Sequence, residues 1–140
     1  MDTMIGIILL LESLPPVYSE VTVGGLKVYS QVRANVYTYV VTNHDNDPVV
    51  RFEVPYGDGY YFHAPEGWHT DSTDGVFRSW TDKDLRKLYP GRPGTFYFRV
   101  TSRGAVLGPV QAVAVLQSGR TVTLPNVWFI SEFRGTPRGF

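Results

Sequence analysis

Apolar and polar residues alternate with a period of two along most of the chain beyond residue 20, the spacing of half-buried strands and not of helices. Residues 36–42, VYTYVVT, show it best: Tyr37, Tyr39 and Val41 fall on one face, Val36 and Val40 on the other. Two apolar faces predict a central strand. At 49–54, Val50, Phe52 and Val54 alternate with Arg51 and Glu53, which predicts one buried and one wet face. At 95–101, Phe96, Phe98 and Val100 point in, with Tyr97 and Arg99 out. Residues 21–23 and 26–32 flank Gly24-Gly25, a hairpin signal because glycine takes positive φ freely. Shorter strands are predicted at 60–63, 76–81, 110–117, 121–124 and 127–130. Ser118-Gly119-Arg120 joins two of these, and Gly104 and Gly108-Pro109 flank a turn region. The one helical signal is 82–89, DKDLRKLY, with Asp82 or Asp84 as cap and Leu85 and Leu88 three apart. It has room for about two turns before Pro90-Gly91 stops it.

Seven to nine strands at this spacing predict an all-β, two-sheet antiparallel sandwich with one short helical turn, and a closed barrel has the same pattern. A chain of 140 residues suits one domain, read as 20–133 with a loose tail at 134–140. Nine Tyr, eight Phe and three Trp agree with strands, while ten Pro and fourteen Gly leave little room for long helices. With no Cys, disulfides, thiolate zinc sites and Cys nucleophiles are excluded. Thirteen basic residues balance thirteen acidic ones, so no overall field draws the chain to nucleic acid, and Arg134 and Arg138 alone make no such patch. Residues 1–19 are read in two ways. The run IGIILLL at 5–11 is too short for stable membrane insertion but sits where a signal peptide has its apolar region, with Val17-Tyr18-Ser19 as cleavage site. Asp2 and Glu12 depart from that pattern, and the other reading is a first buried element.

Residues 37–43, YTYVVTN, followed by 49–55, VVRFEVP, resemble the YxYxVTN…(I/V)xxFxVP opening of exported bacterial sandwich modules found in surface proteins of the PEP-CTERM-sorted kind. Ala64-Pro65-Glu66-Gly67-Trp68 resembles their AP-x-GW element, and the stretch from Gly75 to Trp80 is similar to a GxxxxW strand. Leu88-Tyr89-Pro90-Gly91 with Phe96 and Phe98 resembles the (I/L)xPG…FxF step that follows. The likeness runs from Tyr37 to Val127, and its order is more specific than any one element. No sorting motif, hydrophobic helix or basic anchor follows Phe133. The resemblance implies an immunoglobulin- or fibronectin-like sandwich at the cell surface or outside the cell, with no catalytic residues to carry over.

The residues themselves offer several sites. Tyr56, Tyr60, Tyr61, Phe62 and Trp68 form an aromatic stretch, and adjacent Tyr60 and Tyr61 on a strand point to opposite faces, so one is expected to be exposed. Tyr60, Tyr61 and Trp68 are the candidate ligand-binding residues, with Trp80 a further ring for a sugar. Trp68 and Trp80 are equally suited to filling the seam between sheets. Asp45, Asn46 and Asp47, with Asp58 or with Asp71 and Asp74, offer oxygens to Ca2+, without EF-hand spacing. His63, His69, Glu66 and Asp71 offer zinc ligands at a spacing that has no set geometry on a strand or loop. A small hydrolase would draw on Ser72, Ser79, Ser102 or Ser118, or on Glu53 and Glu66, yet no G-x-S-x-G elbow is present. The expectation is therefore a non-catalytic extracellular structural or adhesive module without cofactor, whose partner is a protein or polysaccharide at the cell surface. The alternative is a carbohydrate-binding module using the 56–68 aromatics.

Overall fold

The computed structural model describes residues 17–55, 60–72, 75–99 and 106–131. The apolar run at 5–11, the tail at 134–140, Tyr56, Asp58, Asp74 and Ser102 lie outside the described residues. Ten strands follow in chain order: Val17–Val23 (β1), Leu26–Arg33 (β2), Val36–Asn43 (β3), Val49–Pro55 (β4), Tyr60–His63 (β5), His69–Asp71 (β6), Val76–Trp80 (β7), Gly94–Arg99 (β8), Val106–Leu116 (β9) and Thr121–Ser131 (β10). They form two antiparallel five-stranded sheets, ordered β1-β2-β3-β8-β5 and β10-β9-β4-β7-β6. The sandwich expected from the pattern is present, with ten strands among the described residues where seven to nine were expected. β1 begins at Val17, three residues ahead of the boundary read at 20.

Turn chemistry accounts for the hairpins. Gly24 and Gly25 take φ 54° and 84°, the double positive φ of a type I′ turn, whose twist matches that of the flanking strands. The β2–β3 turn sets only its first residue, Ala34, at positive φ, 54°, which a residue with a Cβ meets only under strain. β3 lies between β2 and β8, the central place its apolar faces predict.

The core is aromatic on the first sheet and mixed on the second. Tyr37, Tyr39, Phe96 and Phe98 face Phe52, Phe77, Ala112, Ala114 and Leu124, all with no exposed surface. Ala114 pairs with Phe52 across β4 and β9, so a small side chain stands beside a large ring and leaves it room. The rings of Phe52 and Phe96 lie 5.0 Å apart, and those of Phe77 and Phe98 5.3 Å.

Three β-bulges change the phase that strict alternation implies. In β4, Val49 pairs with Leu116 and Arg51 with Val115, so Val50 is the extra residue. Val49 is therefore buried and Val50 only half-buried, where simple alternation puts Val50 inside. In β10 the register shifts between Leu124 and Val127, and both are buried although three apart. The two strands expected there are one strand, with Pro125 tolerated because β10 is a sheet edge. The third bulge, in β5, shapes the candidate site. The turn expected around Gly108-Pro109 is instead the first half of β9.

The helical stretch at 82–89 shrinks to one 3-10 turn, Asp84–Arg86, with extended residues on both sides and no side-chain cap. Tertiary pairing outweighs local propensity here. Leu88 exchanges both backbone hydrogen bonds with Val49, at 2.9 and 3.0 Å, and is buried, while Leu85 is left in solvent.

One buried polar atom is not matched. Tyr37 stacks on Phe98 at 5.8 Å, and its Oη has no hydrogen-bond partner among the described residues. Desolvation pushes its hydroxyl pKa well above the ordinary tyrosine value. Tyr37→Phe is expected to leave stability unchanged or raise it by about 1 kcal/mol, because an unsatisfied group is removed with its shape kept. A urea-unfolding loss of more than about 1 kcal/mol would instead show that the hydroxyl has a partner.

Candidate functional site

β5 is the edge of the first sheet and only four residues long. Tyr60 pairs with Arg99 and His63 with Tyr97, so three steps on β5 match two on β8. The extra residue, Tyr61, takes φ 55° and turns its ring outward, 70% exposed. Phe62 turns inward onto Phe77 and Phe98, at 5.9 and 6.3 Å, and so pins the bulged strand to the core. The result is a shallow groove of about 450 Å3 lined by Tyr61, Phe62, His63, Tyr97 and Arg99. The His63 ring lies flat on Tyr97, 4.5 Å away and 13° from parallel. The Arg99 guanidinium sits 5.7 Å from the Tyr61 ring centre, a cation–π contact. Exposed rings beside a cation on a rigid floor suit a ligand that stacks and also carries acceptors.

The three sequence-predicted ligand residues do not form one platform. Tyr61 is in the groove. Tyr60 joins it through the backbone pairing of β5, and its side chain lies outside the described residues. Trp68 is half-buried against the core: its ring meets Phe96 edge-on at 5.3 Å, and its indole N–H donates to the Arg86 carbonyl at 2.7 Å. It closes the side of the sandwich between the sheets, the seam-filling role the sequence also allowed. Trp80 does not share that role. Phe77 and Ser79 take the inward positions of β7, and Trp80 lies on the outer face of the second sheet between Arg51, at 5.7 Å, and His69, at 5.4 Å. Sequence reasoning missed His63, Tyr97 and Arg99 as members of one site. The outward positions of Tyr97 and Arg99 were readable, but the pairing of β5 with β8 was not.

Asp45 and Asp47 serve the end of the sandwich. Asp45 accepts from the Asp47 amide at 3.0 Å and from the Arg120 guanidinium. Asp47 accepts from the Ser118 amide at 3.1 Å and from the Ser118 hydroxyl. These bonds tie the β3–β4 turn to the β9–β10 turn. Asp71 is elsewhere, on β6 opposite Arg78. Among the described residues no three of His, Asp and Glu gather as a metal donor set. His63 is on the first sheet and His69 on the second, with His69 3.9 Å from Asp82. Glu53 is bound by Arg51 and Arg78, Glu66 lies 3.4 Å from Arg86, and the Ser79 hydroxyl donates to the His69 carbonyl at 2.8 Å.

The Asp47 amide, and after it Arg120, hold the Asp45 carboxyl below the usual aspartate range. A depressed folded pKa contributes stability above the unfolded value, about 3.9, that is lost as pH falls through the folded one. Asp45→Asn is therefore expected to flatten part of the stability loss on acidification. Urea midpoints of both proteins at neutral pH and in strong acid check it, and identical acid losses would remove the role given to Asp45.

No protein-family model and no curated protein matches the chain. Among solved structures, it is similar to an uncharacterized protein from Nocardia farcinica whose crystal structure reveals an immunoglobulin-like fold, at 15% identity and a TM-score of 0.50 over 77% of this chain and 81% of that one. That likeness shows the fold.

Proposed function

We propose that this immunoglobulin-like sandwich is a non-catalytic binding module, working outside the cytoplasm in a structural or adhesive role, that engages its ligand through the groove at the β5–β8 edge. The observation that carries this reading is a ring turned into solvent by a bulge, Tyr61, held beside Arg99 over a floor anchored by Phe62. A bulge that exposes an aromatic side chain costs stability, and such features re-aim side chains toward ligands. Placement outside the cell rests on the order of motifs from residue 37 to 127, which resembles that of exported surface modules. Among the described residues no helix is long and apolar enough to cross a membrane. The balanced charge of the whole chain favours a protein or polysaccharide partner over nucleic acid.

Tyr61→Ala and Tyr97→Ala are expected to weaken retention on isolated cell envelopes or immobilised polysaccharides by about ten-fold or more, as loss of a ring contact does at a hot spot. Their melting temperatures are expected to stay within about 3 °C of the parent, because both rings lie on the outer face. Trp80→Ala, on the other sheet, serves as the control and keeps binding. Retention unchanged by the two tyrosine substitutions would move the ligand site away from this groove.

A further inference from the structure

The two outer faces of the sandwich differ in charge. On the outward positions of the second sheet Arg51 and Arg78 both reach Glu53, and Asp71 lies opposite Arg78, so two positive charges stand against two negative ones. On the first sheet the outward positions of β1, β2, β3 and β8 carry Lys27, Arg33 and Arg99 against Glu20. Glu20 is taken by Lys27, at 3.5 Å. Arg33 and Arg99 have no ion pair among the described residues. Register places them in one row, Arg33 opposite Val36 and Val36 opposite Arg99, two strand spacings or about 10 Å apart.

The adjacent outward row crosses the whole sheet: Tyr18, Gln31, Thr38, Tyr97, His63. It spans about 19 Å at the usual strand spacing. Rings stand at both ends, Tyr18 58% exposed at one and the His63–Tyr97 stack with Tyr61 at the other. Between them lie the amide of Gln31 and the hydroxyl of Thr38. The face thus offers apolar ring surface, neutral hydrogen-bonding groups, and two guanidinium groups along one side that have no ion pair among the described residues.

A peptide added as a new strand does not fit the groove end. β5 is short, bulged and left-handed at Tyr61, which blunts it as a template for backbone pairing. What remains is recognition by side chains across the strands. A sugar ring presents C–H groups to an aromatic face and hydroxyls to its neighbours, and a carboxylate on that ring meets guanidinium bidentately.

We propose that the outer face of the first sheet holds an extended acidic polysaccharide of the polyuronate class, lying across the strands. Its sugar rings rest on Tyr61, Tyr97, His63 and Tyr18, and its carboxylates pair with Arg99 and Arg33. This names the ligand of the groove and rests on the binding-module reading above.

The test uses the whole chain and measures affinity for polygalacturonate and alginate, for methyl-esterified polygalacturonate, and for polyglutamate. Polyuronate binding is expected to fall about ten-fold or more with the methyl ester and with the Arg33→Gln, Arg99→Gln double variant, a loss in line with charged hydrogen bonds removed. It is also expected to weaken with added salt, since exposed charges are screened. The double variant's melting temperature should match the parent's, which separates lost binding from lost folding. Equal affinity for acid and ester, unmoved by the arginine substitutions, would overturn the charge recognition and leave the ring groove standing. Tighter binding of polyglutamate than of either polyuronate would overturn the sugar, and no retention of any of these polymers would overturn the proposal outright. In that last case the envelope experiment with Tyr61→Ala still decides the groove itself.

Discussion

Phe98→Ala is expected to lower the unfolding free energy by about 3–5 kcal/mol, the range for a large ring deleted from a packed core. Phe98 has no exposed surface and lies against Tyr37 at 5.8 Å, Tyr39 at 5.9 Å, Phe77 at 5.3 Å and Phe62 at 6.3 Å. These neighbours come from both sheets, so the cavity opens where the layers meet and no single side chain can collapse into it. Stability of a domain this size is about 5–15 kcal/mol in all, so the variant sits near the limit of folding. Urea unfolding measures the loss, and a change below about 1 kcal/mol would show that the sheets do not pack around this ring. The same substitution is expected to weaken ligand retention, because Phe62, the floor of the groove, loses its support.

Asn43→Asp is expected to cost a similar amount, about 3–5 kcal/mol at neutral pH, from a buried charge without a partner. Asn43 is fully buried at the end of β3. Its Nδ2 donates to the carbonyls of Asp47 and Leu88, both at 2.9 Å, and its Oδ1 accepts from the Asp45 amide at 2.7 Å. Aspartate keeps the acceptor but sets a charged oxygen against two carbonyls, close to Asp45 and Asp47. Asn43→Ala, which only removes the bonds, is expected to cost less, about 1–3 kcal/mol. Acid separates the two variants. Burial raises the folded pKa of the introduced carboxyl, so its penalty shrinks as pH falls and the group is protonated, whereas the alanine penalty stays. A deficit of Asn43→Asp that does not depend on pH would remove the charge argument.

Asn43 also shows how far local reading reaches. A polar residue closing the run VYTYVVT is legible as a turn cap, and its bond to the Asp45 amide is that cap. Its bond to Leu88 is not legible, because forty-five residues separate them in sequence. Trp68 and Trp80 make the same point. Both are large apolar rings, and the sequence offers each of them the core seam first and a ligand second. Trp68 goes inside because the β5–β6 connection crosses between sheets at that point, whereas Trp80 faces out because β7 places Phe77 and Ser79 inward. In the candidate site Tyr61 was legible as one of two adjacent tyrosines on a strand. Arg99 and Tyr97 were legible as outward residues of another strand, and nothing in either segment says that the two strands are neighbours.

Period-two alternation, aromatic and β-branched residues, and Gly–Gly or Pro–Gly breaks were enough to determine an antiparallel all-β domain, since each such segment has one apolar face to bury, and the tertiary structure decided that two separate sheets and not one closed barrel bury those faces. Only the tertiary structure decided the pairing of strands and the three bulges. A bulge arises when one strand must gain a residue on its partner, so it depends on the register of two distant segments, and the alternation of one strand does not identify it: the phase break between Leu124 and Val127 reads equally as a gap between two strands. For that reason the all-β class could be read along the chain, whereas the exposed ring of Tyr61 and the groove it shares with His63, Tyr97 and Arg99 appear only once β5 is laid against β8.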